Sequence, residues 1–208
     1  MIKALQLIFE PATAWDAIAR AERGVLGVLL RFLIPAVLIA CGLEAWGMNR
    51  LGHRPTQLGL AGSQSVTLPI EALLRYEIAQ ALLNVATVFL LAFCLHRLVR
   101  SFHGRAAFSL AFTVMAYNFA PLLLMQILDG LPLAPTWLCR AAGALLAAKV
   151  FYVGLVRVIR PEPSTALGLY FLGALLLFAF AGISHFVALQ ILEGRLLPGL
   201  GRSITLLR

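Results

Sequence analysis

Charge is scarce in this chain of 208 residues. Only 12% of the positions are Asp, Glu, Lys or Arg, about half the share of a soluble domain, and just nine are acidic. The hydrophobic share is 61% and the mean hydropathy is +0.91. A soluble protein of this size has too little interior to hide that much apolar surface. An ordinary cytosolic enzyme and a disordered tail are therefore excluded. Cysteine is equally thin: Cys41, Cys94 and Cys139 are odd in number and lack CxxC spacing, which excludes a disulfide framework and a zinc site. HExxH, a GxSxG elbow, a P-loop and GxGxxG are all missing, so no familiar catalytic signature is present. There is no internal repeat, low-complexity tract or soluble domain, and nothing calls for a cofactor or a metal.

What the sequence does contain is apolar length. Five stretches, at about 25–46, 72–98, 108–128, 137–159 and 165–192, reach the roughly 20 residues that a membrane crossing needs. The expected fold is all-α: a polytopic membrane protein with a single bundle of five transmembrane helices. An interfacial amphipathic segment over 1–24 precedes the bundle over 25–192, and a short tail over 193–208 follows. The polar connection 47–71 is the longest, and the other links are tight, so neighbouring helices should pack antiparallel. Five crossings put the two termini on opposite sides of the membrane.

The N-terminal segment does not read as a signal peptide, because the apolar run after Lys3 is short and interrupted by Gln6 and Glu10. It reads instead as one or two helices lying on the membrane. Ile2, Leu5, Ile8 and Phe9 form an apolar face, and Pro11 breaks the run. Thr13 with Asp16 resembles a capping box for a second turn that carries Trp15 and Ile18.

The formal charge of +8 and pI near 10.3 would suggest nucleic acid in a soluble protein. Here the basic residues flank apolar stretches, where they orient helices and meet anionic headgroups. The clusters Arg97 to Arg105 and Arg157 to Arg160 point to a cytoplasmic N-terminus. The basic turn with Arg97, Arg100, His103 and Arg105 is a candidate contact for anionic lipid or an acidic partner, although a pure topology signal would look the same.

Polar residues at membrane depth are costly and need a partner or a role. Lys149 falls near the middle of the fourth stretch and Asn118 near the middle of the third. On the second stretch, Glu77, Gln80, Asn84 and Thr87 recur at helical spacing, so this stripe should face the bundle interior. Tyr152 shares the face of Lys149. Lys149, Asn118, Asn84, Tyr117 and Tyr152 thus form a candidate midplane cluster. It would serve an anionic headgroup, a small anion or a proton path, or else simply join helices through hydrogen bonds. His185 is a further polar residue at depth. Glu44, Glu77 and Asp129 lie near span ends with no evident pairing, and Arg31 and Glu44 read as interfacial anchors. Pro35 and Pro121 should kink their spans, and Gly143 with Ala147 has the spacing of a close helix contact.

Together these features resemble the bacterial branch of the Yip1 family of membrane proteins. The resemblance rests on Leu7-Ile8-Phe9-Glu10-Pro11 followed by Trp15 and Ile18, and on Ala116-Tyr117 followed by Ala120-Pro121. It rests also on five closely spaced spans with a basic turn before the third. Eukaryotic relatives are associated with Rab GTPases and carry a longer cytosolic N-terminal region. About 24 residues precede the first span here, so GTPase recruitment is not carried over. The resemblance implies a bacterial inner-membrane protein and no enzyme class. The expected function is that of a non-enzymatic membrane organiser or adaptor, with anionic lipids, a protein partner or a second copy as contacts. The alternative is a small transporter, channel or lipid-handling protein using the Lys149 and Asn118 site.

Overall fold

The computed structural model describes residues 2–51, 69–102, 104, 106–131 and 136–192. Among these residues every regular element is a helix. Five helical segments are long and apolar enough to cross a membrane: Val25–Leu51, Ile70–Ser101, Phe108–Asp129, Thr136–Ile159 and Pro163–Leu192. The third span is the most buried, and the others surround it. The second and fifth pack along one another, the fourth packs on the third, and the first packs on the second and third. Leu38, Leu82, Leu145, Leu167 and Leu175 are among the large apolar side chains left exposed. An apolar outer surface is what a lipid solvent requires.

Both expected kinks are present. Pro121 cannot donate an amide and its ring would strike the carbonyl of Tyr117. The third span accordingly breaks at Phe119, between helices Phe108–Asn118 and Ala120–Asp129, with Pro121 in the first turn of the second piece. In the first span the turn ahead of Pro35 widens into a π-helical segment, Leu29–Leu33, which re-aims the backbone without losing all its hydrogen bonds.

Two short helices precede the spans: α1, Ile2–Phe9, and α2, Pro11–Arg20. They are more than a surface float. Leu5 and Phe9 do point outward, but Leu7, Ala14, Trp15 and Ile18 are buried in the main core. The buried Trp15 indole N–H donates to the Val150 carbonyl at 3.0 Å. Its ring meets Tyr117 edge-on, with centroids 6.3 Å apart. Gly154 makes the seat, since a Cβ there would lie 2.6 Å from the indole. The expected capping box does not form. Thr13 lies inside α2 and donates back to the Glu10 carbonyl at 3.1 Å, while Asp16 is drawn away to Arg157 at 2.7 Å.

Glycine also sets the closest contact between spans. A Cβ on Gly47 would sit 2.4 Å from the Gly130 carbonyl oxygen, and one on Gly130 would sit 2.8 Å from the Glu44 Cα. The first and third spans therefore touch backbone to backbone at this end, as small residues permit in membranes. That approach carries Glu44 into the bundle.

Candidate functional site

Glu44 is fully buried and accepts three side-chain hydrogen bonds. Gln126 Nε2 donates at 2.6 Å and Gln80 Nε2 at 3.1 Å, both to Oε2, and the Tyr76 hydroxyl donates to Oε1 at 3.3 Å. Gln126 Oε1 in turn accepts from Asn84 Nδ2 at 3.1 Å. One carboxylate thus ties the first span to the second and third. The stripe Glu77, Gln80, Asn84 and Thr87 is buried along its length, so the helical spacing of the second span does face inward. Asp129, also fully buried, takes Arg140 across the turn between the third and fourth spans at 3.4 Å.

Glu44 is therefore no interfacial anchor, and the three acids at depth are not scattered. Glu44, Glu77 and Asp129 converge with Arg140 in one half of the bundle. Several polar atoms there stay unpaired: both carboxyl oxygens of Glu77 (the weak Cys41 thiol aside), Gln80 Oε1, Asp129 Oδ1, Arg140 Nε and His185 Nδ1. Beside them lies a cavity of about 290 Å³. Gln80, Asn84, Gln126, Arg140 and His185 form its polar wall, and Phe119, Leu122 and Phe178 are part of its apolar wall. Exposed Ala141, Phe178 and Gly182 lie on its rim, so it opens sideways between the fourth and fifth spans. Among the described residues, no three His, Cys, Asp or Glu side chains are placed to hold a metal ion.

The midplane candidates are not brought together. Lys149 is exposed on the outer face of the fourth span. Asn118 is fully buried with neither amide atom hydrogen-bonded. Asn84 belongs to the Glu44 network. Tyr117 stacks on Phe32 at 4.0 Å, and Tyr152 packs edge-on against Tyr170 at 5.3 Å. At the basic turn, Arg97 and Arg100 are exposed, with Arg97 over the Phe93 ring at 5.1 Å. His103 and Arg105 lie outside the described residues.

Orientation explains Lys149. It adjoins Val150, the acceptor of Trp15, so it lies level with α2. Arg31, exposed beside Phe32, lies at the same level through the Phe32–Tyr117–Trp15 contacts. From Arg31 to Arg50 the first span rises about 28 Å, close to the hydrocarbon thickness of about 30 Å. Between them the exposed large side chains are Leu38, Ile39, Leu43 and Trp46. Lys149 faces outward, away from the bundle interior, so replacing it leaves no buried group without a partner. We expect Lys149→Leu to leave the fold intact, shifting the unfolding midpoint by no more than about 0.5 kcal/mol. A detergent unfolding titration that found a large loss would refute this placement.

Gln126 and the Asp129–Arg140 pair were not foreseen as site residues. Gln126 and Asp129 are three residues apart on one helical face, and Arg140 follows Asp129 across a short turn, so hairpin pairing was the available signal.

Five apolar crossings around a buried polar network define a polytopic helical membrane protein. The family model for the Yip1 domain matches residues 5–183. The chain belongs to the Yip1 domain family, and the match takes in most of α1, all of α2, the first four spans and much of the fifth. No curated protein and no solved structure matches it.

Proposed function

We propose that this protein is a non-enzymatic membrane organiser or adaptor whose working face is the end of the bundle bearing α1 and α2. The supporting observation is the gathering of exposed basic side chains at that end. Among the described residues, that end carries Arg20, Arg23, Arg31, Arg97, Arg100, Lys149, Arg157 and Arg160 against Glu10, Asp16, Glu22 and Glu162. The opposite end carries Arg50, Arg75 and Arg140 among the described residues, and the sequence adds Arg54, Arg195, Arg202 and Arg208 to that side. Basic residues beside a membrane each gain about 1 kcal/mol near anionic lipid. In this reading that end faces the cytoplasm across a bacterial inner membrane, with the N-terminus inside, because the compact basic clusters around Arg97 to Arg100 and Arg157 to Arg160 lie there. An acidic partner protein or a second copy of the chain would use the same surface.

The non-enzymatic part of the reading is supported by the Glu44 network, in which Tyr76, Gln80, Asn84 and Gln126 tether three spans. The test is lipid co-purification in mild detergent, comparing wild type with Arg97→Ser/Arg100→Ser/Arg160→Ser. Anionic lipid should be enriched several-fold over the bulk membrane in wild type and fall in the variant to what a single bound molecule accounts for. Wild type without enrichment and without any cross-linked partner overturns the proposal.

A further inference from the structure

We infer that the lateral cavity is a binding site for one amphipathic lipid with a hydroxyl-bearing, phosphate-type head, separate from the basic end. Gln80 is 3% exposed, yet its Oε1 has no donor, and it lines the cavity. Arg140 Nε has no acceptor, and His185 Nδ1 is unpaired on the same wall. Leaving buried polar atoms unpaired costs about 1–3 kcal/mol each, and in hydrocarbon no water approaches to satisfy them. A head that both donates and accepts matches a wall that mixes the amides of Gln80, Asn84 and Gln126 with the Arg140 guanidinium, the His185 ring and Ser184. The facing wall, with Phe119, Leu122, Ala144, Phe178 and Ala181, is apolar and opens toward lipid rather than along the bundle axis, as an acyl chain requires. About 290 Å³ admits a head and its first few methylenes, and the remaining chain leaves through the rim at Gly182. Pockets with a few convergent polar groups on an apolar lining are the usual form of such sites.

Gly182 supplies a clean test, because a Cβ there would meet nothing within 4 Å. Gly182→Phe sets a ring at the rim from a Cβ position that is itself free, Gly182→Ala is the fold control, and Ala144→Phe adds bulk to the cavity wall from the fourth span. Each protein is passed through nanodiscs of phosphatidylglycerol or phosphatidylcholine and released for native mass spectrometry. Wild type should retain one phosphatidylglycerol at least about tenfold more than phosphatidylcholine, whose head offers no hydrogen-bond donor. Both Phe variants should lose it, while Gly182→Ala, Lys149→Leu and the Arg97/Arg100/Arg160 triple variant keep it. Retention by the plugged variants, or equal retention of the two lipids by wild type, overturns the site. So does loss of the lipid in the triple variant, which would assign it to the basic end instead.

Discussion

Trp15→Ala is expected to release α1 and α2 from the bundle while the five spans remain assembled. The indole is fully buried, donates to Val150 and rests on Gly154 and Tyr117. Truncating a packed aromatic of this size costs about 3–5 kcal/mol. The other fastenings are weaker. The Asp16–Arg157 pair is 45% exposed on both sides and is worth at most about 1 kcal/mol, and Leu7 and Ile18 add only aliphatic contact. Loss of Trp15 therefore removes most of what holds the segment. The measurement is maleimide labelling of Ala14→Cys, a buried position in α2, in a chain whose own three cysteines are replaced. Labelling should rise on the order of a hundredfold with Trp15→Ala, as local opening becomes cheap. Asp16→Ala should raise it only a few-fold. Unchanged labelling with Trp15→Ala would mean that α2 is held by lipid rather than by the bundle.

The spans were legible because their signal is length, and length alone decides whether a helix crosses hydrocarbon. Pro35 and Pro121 were legible for a similar reason: a missing amide has a local consequence wherever it falls. The inward stripe of the second span followed from spacing, since Glu77, Gln80, Asn84 and Thr87 share one face in any helical context. The site failed to appear for a different reason. Lys149 lies near the middle of its apolar run, but the structure sets it on the exposed outer face of the fourth helix beside Val150, the acceptor of Trp15, and which face a residue takes is not recorded by the length of the run. Glu44 looked like an anchor because it lies near the end of its own span. Its burial comes from the contact of Gly47 with Gly130, which joins residues far apart in the chain and leaves no trace in either local pattern. Trp15 shows the same limit: an amphipathic pattern distinguishes an apolar face from a polar one, but not whether lipid or protein covers it.

The two ends of the molecule therefore carry different kinds of polar residue. At the α1–α2 end the basic side chains are mostly exposed, positioned by the ends of helices, and can be exchanged without opening the core. At the other end the polar side chains are buried and hold the helices together, so binding in the adjoining cavity draws on the same groups that fix the packing. A ligand that satisfies Gln80 and Arg140 would then stabilise the fold by mass action, which makes stability a readout of occupancy as well as of structure.

The contrast between two buried glutamates tests that picture most directly. Glu44→Ala is expected to loosen the first span and cost about 2–4 kcal/mol. It leaves the donors of Gln126, Gln80 and Tyr76 without their shared acceptor. Single hydrogen bonds between membrane helices average about 0.6 kcal/mol and reach about 1.7, and three are lost together along with the packing of the side chain. Glu77→Ala removes the same group from a site one helix away, where the weak Cys41 thiol is its one neighbouring donor and no amide or hydroxyl reaches it. A buried carboxyl so weakly partnered is a cost to the folded state, so its removal should be neutral or stabilising. Glu44→Gln should fall between, because one oxygen still accepts while the new amide faces donors. An unfolding titration in mixed micelles, followed by tryptophan fluorescence, ranks the three. Equal losses for Glu44→Ala and Glu77→Ala would mean that charge balance around Arg140, rather than the hydrogen bonds to Glu44, holds this half of the bundle.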